Sequence, residues 1–248
     1  MRRTLAAIAL LLPLAARATG NVELSQGADQ LSGGRAAWRA TVFQAAWKGE
    51  RGAAIGAGVR ELSRFSRDDV DGVVWAQAPL GDFVVGVEGS ASPTWRFVPR
   101  WAVGGRIERG LGAGWIASAG MRAARYESEL TSSTPLFASA GLERYWGRWR
   151  AAATTMAVGL GNSWSGGGRL ALDLFYGNDG RVGVSAAAGR ELESLGEGQL
   201  LRSDVLGAAI AGAHPLRGAW AVTWELSGQR QGVLYTRIGG RLGLRRAF

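Results

Sequence analysis

Cysteine is absent from the 248 residues, so disulfides, thiolate metal centres and a lipidated cysteine are all excluded. There is one histidine, His214, and of the 29 basic residues only Lys48 is a lysine. A lone histidine leaves little room for a Ser-His nucleophile pair or a zinc site. His214 also precedes Pro215 in a predicted periplasmic turn, at the wrong end for an enzyme working at an external rim. No segment carries 18 consecutive apolar residues, so a helical membrane span is absent from the pattern. Clusters of five or six basic residues are also missing. The formal charge is +9, and removing Arg2, Arg3 and Arg17 with the first 18 residues leaves +9 − 3 = +6. Arginines spread this evenly argue against a nucleic-acid partner.

The first eighteen residues read as an export signal. Arg2 and Arg3 precede an apolar run from Leu5 to Ala16, and Ala16-Arg17-Ala18 supplies the small-x-small cleavage pattern. The expected organisation is therefore a cleaved signal peptide over 1–18 and a single domain over 19–248.

Within that domain the dominant period is two. Trp220, Val222, Trp224 and Leu226 alternate with Ala221, Thr223, Glu225 and Ser227. Leu170, Leu172, Leu174 and Tyr176 oppose Arg169 and Asp173 in the same way. Alternate residues of a strand point to opposite faces, so these are strands with one apolar and one polar face. The count is about 12–14 such segments, best taken as 14, including 70–79, 149–160, 168–177, 181–191 and 203–213. Short turn-like connectors such as Lys48 to Arg51, Trp146-Gly147-Arg148 and Asn178-Asp179-Gly180 alternate with longer ones. The longer ones are Ser66 to Asp69, Ala91 to Val98, Glu127 to Thr134, Gly161 to Gly167 and Leu192 to Arg202. That rhythm predicts an all-β, up-and-down antiparallel transmembrane β-barrel with short periplasmic turns and longer external loops.

A soluble β-sandwich or lipocalin-like barrel also alternates. Against it stand the export signal, the Gly, Ala, Ser, Arg and Glu content of the polar face, and aromatic residues near segment ends. Trp47, Trp95, Trp101, Trp115, Trp146, Trp149 and Trp220 fit interfacial girdles. At the C-terminus Ile238, Leu242, Leu244 and Phe248 share one face and Arg237, Arg241 and Arg245 the other. An arginine facing lipid at the midplane costs about 2–4 kcal/mol, so the arginines are expected in the lumen. The apolar set ending in Phe248 then reads as the signal used by the barrel-assembly machinery. Arg246 falls on the outward face near the rim, where it can snorkel.

A set of positions resembles the YaiO-type outer-membrane barrel family. It includes Gly89-Ser90-Ala91-Ser92-Pro93, Phe97-Val98-Pro99, Gly105, Glu108, Leu111 and Gly114. Ser118-Ala119-Gly120-Met121-Arg122, Tyr126, Tyr145, Gly147, Trp149-Arg150 and Trp38 continue it. The resemblance implies an outer-membrane barrel and carries no catalytic set.

On the period-two reading the lumen-facing candidates are Arg106, Glu108, Arg122, Glu143, Arg169, Asp173, Glu225, Arg237, Arg241 and Arg245, with Arg39, Arg60 and Asp71 beside them. Mixed signs predict cross-strand pairing, and the arginine excess favours anions. Asp68-Asp69-x-Asp71 lacks the sixth-position Gly and the twelfth-position Glu of an EF-hand loop, and reads as an acidic external loop. Gly52, Gly56 and Gly58 lack the Gly-Lys-Ser/Thr of a phosphate loop and are expected to thin a strand face. Gly166-Gly167-Gly168 is expected in a flexible loop. No catalytic residue, metal site or cofactor is indicated. The expected function is a non-enzymatic barrel, either a narrow Arg-lined passage or a docking barrel for envelope components. The expected partners are outer-membrane lipid, lipopolysaccharide and the assembly machinery, with the oligomeric state open. An enzyme acting at the rim, or a structural barrel beside a polysaccharide system, are the alternatives.

Overall fold

The computed structural model describes residues 19–127, 132–177, 179–196 and 199–248. The proposed signal peptide lies outside the described residues. The wall is built from β1 (Thr19–Leu31), β2 (Trp38–Lys48), β3 (Ala54–Arg64), β4 (Arg67–Leu80), β5 (Phe83–Ala91), β6 (Trp101–Gly112) and β7 (Trp115–Glu127). It continues, past the two-residue β8 (Ser132–Ser133), through β9 (Leu136–Trp146), β10 (Trp149–Leu160), β11 (Ser163–Tyr176), β12 (Gly180–Gly196), β13 (Gln199–Pro215), β14 (Trp220–Gln231) and β15 (Tyr235–Ala247). Each wall strand pairs antiparallel with its neighbours in sequence, and β1 pairs with β15 over Asn21↔Ala247 to Leu31↔Arg237. The result is a closed barrel of 14 strands, the number the sequence favours.

Closure leaves no free sheet edge, so backbone donors and acceptors are met within the wall, as a membrane setting demands. Fourteen strands about 4.8 Å apart and tilted about 40° give a backbone radius of about 14 Å.

Directly paired residues share a face, and the register sorts the side chains into two sets. Leu24 (53% exposed), Val74 (60%), Leu226 (60%) and Ile238 (68%) lie on the outer surface, whereas Asp71 (2%) and Asp173 (8%) face inward. Leu242, Leu244 and Phe248 are exposed with Ile238 on the outer face. At the end carrying the chain termini, outward Trp115, Trp146, Trp149 and Trp220 each begin or end a strand. Arginines on the same outer face cover aromatic rings there: Arg144 over Trp115 (5.2 Å), Arg246 over Trp220 (5.5 Å) and Arg109 over Phe83 (5.2 Å). Over a ring and near the rim, a guanidinium keeps its charge in contact with water.

Five expectations need correction. The connectors opposite the termini are not all long. Phe65-Ser66 joins β3 to β4 as a two-residue turn with both φ positive (54° and 59°), and Gly161-Asn162 joins β10 to β11. Gly166-Gly167-Gly168 lies inside β11, paired with Ala157, Met156 and Thr155. Much of 192–202 is likewise strand, since β12 and β13 run to Gly196 and from Gln199. In each case ladder pairing runs further than the alternation signal: through Ser63 and Arg64 to the β3–β4 turn, through the glycines of β11, and through Leu192 to Ser194 in β12. Arg39 faces outward, because it shares a face with Phe43 and Trp47, and lies near the outer end of β2. His214 belongs to β13, paired with Val222, with Nδ1 3.3 Å from the Tyr176 hydroxyl.

Candidate functional site

The inner face is small-residue wall carrying islands of charge. Glycines thin it where a large side chain crosses. A Cβ on Gly56 would collide with the Trp75 indole, and one on Gly183 with the Asp173 carboxylate.

Along one side of the lumen runs a continuous ion-pair ribbon. Glu108 meets Arg106 Nε at 2.8 Å, and Arg106 reaches Glu143 at 3.8 Å. Arg150 donates to Glu143 (2.9 Å) and to Asp173 (2.7 Å), and Arg181 lies 3.9 Å from Asp173. Shared partners hold each other's geometry, so such a network is worth more than isolated surface pairs. Around the rest of the barrel, Arg122 pairs with Glu88 (3.3 Å), Arg237 with Asp29 (3.2 Å) and Arg241 with Glu225 (3.2 Å). Arg60 and Asp71 form a two-pronged pair, with Nε donating to Oδ1 at 2.8 Å.

Of the ten lumen positions singled out from sequence, Arg106, Glu108, Glu143 and Asp173 join in the ribbon. Arg122, Glu225, Arg237 and Arg241 each have an opposite charge elsewhere. Arg169 donates only to Ser185 Oγ (3.1 Å), and Arg245 has no ion pair among the described residues. Its cross-strand neighbour Glu23 instead accepts from Thr223 Oγ1 at 2.9 Å. Arg150, the ribbon's hub, was not singled out, because β10 is alanine-rich and alternates weakly. Its one signal was cross-strand placement between Glu143 and Asp173.

The outer mouth has a second constellation. Residues 92–100 fold over the inner face of β4, and Asp69, fully buried, accepts the N–H groups of Arg96 (2.9 Å), Phe97 (2.7 Å) and Val98 (3.0 Å). Ser92 Oγ donates to the Val70 carbonyl (2.7 Å) and accepts from Trp95 N–H (2.9 Å). The carboxylates of Asp69 and Asp71 are thus taken up in strand and loop structure, and Asp68 contributes its backbone carbonyl to Arg96. Beside this loop, Trp38 is 6% exposed and packs edge-on to Phe65 (5.1 Å) and Tyr235 (5.7 Å). Arg64 lies 4.8 Å from the Trp38 ring and 5.8 Å from that of Phe97, and Arg237 lies 5.4 Å from Trp38. Sequence reasoning missed this cluster, since two inward aromatics and an unpaired arginine carry no spacing motif.

Three inward arginines below the rim, Arg64, Arg169 and Arg245, therefore form no ion pair among the described residues, and Arg67, opposite Arg64 at the rim turn, forms none either. The three sit at successive depths: Arg64 at the outer end of β3, Arg169 mid-way along β11, and Arg245 near the opposite end of β15. In the strand order β3 and β11 are seven steps apart, on opposite walls.

No protein-family model matches the chain. No curated protein matches it in sequence. Solved structures do match in three dimensions. An anion-selective porin from Comamonas acidovorans aligns at TM-score 0.53 and 10% identity, covering 93% of this chain and 99% of the porin. The CymD monoaromatic hydrocarbon channel aligns at TM-score 0.59 and 11% identity, covering 93% and 88%. The translocator domain of autotransporter NalP from Neisseria meningitidis aligns at TM-score 0.53 and 16% identity, covering 99% and 94%. The fold is that of outer-membrane barrels. At such identities the likeness extends to fold alone.

Proposed function

We propose that the protein is a non-enzymatic outer-membrane barrel that passes small solutes and favours anions. The observation that carries this reading is the staggered trio Arg64, Arg169 and Arg245, inward and without ion-pair partners while the lumen carboxylates are engaged. A translocating anion meets weak, successive attraction there, strong enough to enter and weak enough to leave. The apolar outer belt, the resemblance to YaiO-type barrels and the porin-like fold support the setting. In that setting the outward set Ile238, Leu242, Leu244 and Phe248 would be read by the assembly machinery, and outer-membrane lipid and lipopolysaccharide would surround the wall.

Purified, refolded protein in a planar bilayer under a potassium chloride gradient tests the reading. The expected result is discrete conductance with a reversal potential of the sign for chloride preference. Folded protein, verified by a mobility shift on boiling, that carries no current would overturn it.

A further inference from the structure

We propose that the outer mouth contains a binding site for a small planar monocarboxylate, an aromatic acid being the best-fitting class. This rests on the passage reading and names what the passage would select.

A cavity of about 220 Å³ opens on the lumen beside Asp29, Trp38, Arg64, Glu225, Ser227 and Arg241. At roughly 30 Å³ per water it holds the volume of about seven waters, room for a compact ring and one charged group. Its charges are mostly committed. Arg241 is held by Glu225 and the neighbouring Arg237 by Asp29, and Arg39, which also lines the cavity, turns its side chain outward; this leaves Arg64 as the inward guanidinium there with neither an ion pair nor a hydrogen bond among the described residues. With Arg39 turned outward, the inward guanidiniums Arg64, Arg237 and Arg241 against Asp29 and Glu225 leave one positive charge, which matches a monoanion. Arg64 lies over the Trp38 and Phe97 rings and spends none of its N–H donors on a hydrogen bond among the described residues, so they are free for an oxyanion. A planar guanidinium with several donors suits a carboxylate better than a spherical halide.

A second donor adjoins the cavity. The Nε1–H of Trp38 is buried with no acceptor among the described residues, an arrangement that ordinarily costs stability, and a small turn of the ring would bring it to a bound carboxylate and relieve that cost. Trp38 is the aromatic residue that lines the cavity, braced from behind by Phe65 and Tyr235, and its ring favours a ligand with a flat apolar body over a compact inorganic anion.

The test uses full-length refolded protein in detergent, titrated calorimetrically with benzoate and with its neutral counterpart benzamide. Saturable binding of benzoate alone is expected. Arg64→Gln should weaken it about 10-fold or more, the loss of a charged hydrogen-bond partner. Trp38→Phe keeps the ring, removes the donor and should weaken it less. Arg190→Gln, on the far hairpin and paired only with Asp204, should leave affinity unchanged. Benzoate affinity indifferent to Arg64→Gln, equal binding of benzamide, or no saturable binding would each overturn the site. Conductance measured on the same preparation reports on the passage separately, so a conducting barrel without benzoate binding refutes only this site.

Discussion

Arg150 holds two carboxylates that are themselves largely shielded, Glu143 at 16% and Asp173 at 11% side-chain exposure. Removing one partner from such a set leaves like charges facing each other with little water to screen them. Arg150→Met is expected to lower stability by about 2–4 kcal/mol, read from urea unfolding of the protein in lipid vesicles. Gly183 gives a test of the same ribbon from the backbone side. A methyl group there enters the space of the Asp173 carboxylate, which Arg150 holds in place. Gly183→Ala is therefore expected to cost about 1–3 kcal/mol, with Gly228→Ala, where an added Cβ meets nothing closer than 4.0 Å, as the near-neutral comparison.

At the scale of elements, the loop over 92–100 is stitched to β4 by one side chain. Asp69 satisfies three successive backbone donors, so Asp69→Ala strands all three while leaving the strand ladder intact. Limited trypsin digestion of the folded variant is expected to cut after Arg96 and Arg100, whereas the parent protein resists; equal resistance would mean that other contacts hold the loop. The strands show why some of this was legible in sequence and some was not. Where large apolar residues alternate with charge, as in β14 and β15, face and register follow from period two. Where glycine occupies both faces, as at Gly166 to Gly168 in β11, the pattern is silent. Gly167 there packs directly against the backbone of Ala188 and Gly189, a close approach that only glycine permits. Arg39 misled for another reason: the period-two reading set it beside the lumen charges, although its phase with Phe43 and Trp47 places it outward. The loop's grip on Asp69 joins residues 27 to 29 positions apart and has no periodic signature.

For the whole molecule, the fold class and the count of fourteen were readable because a closed wall repeats one simple pattern. The distribution of free and committed charge was not, since pairing depends on register between strands. The conductance reading makes a collective prediction here. The triple variant Arg64→Gln/Arg169→Gln/Arg245→Gln removes the three uncommitted arginine charges of the staggered trio, leaving Arg67 at the rim, and touches none of the ion pairs. Its reversal potential in a salt gradient is expected to move towards the non-selective value with conductance retained. An unshifted potential would assign selectivity to the paired charges instead.

The seam between β1 and β15 has a consequence of another kind. Gly20 and Phe248 exchange both of their backbone hydrogen bonds at 2.9 Å, and Ser32 and Thr236, 204 positions apart, are joined at the other end. In space this junction is one more hairpin lacking only its turn. A circular permutant that links Phe248 to Thr19 through a few flexible residues, and opens the chain at the Phe65-Ser66 turn instead, would keep every ladder of the wall. Its order of assembly would change completely, because the contact that now spans nearly the whole chain would become local and form early. Faster refolding into vesicles with unaltered final stability would identify the seam as the slow step in building this barrel.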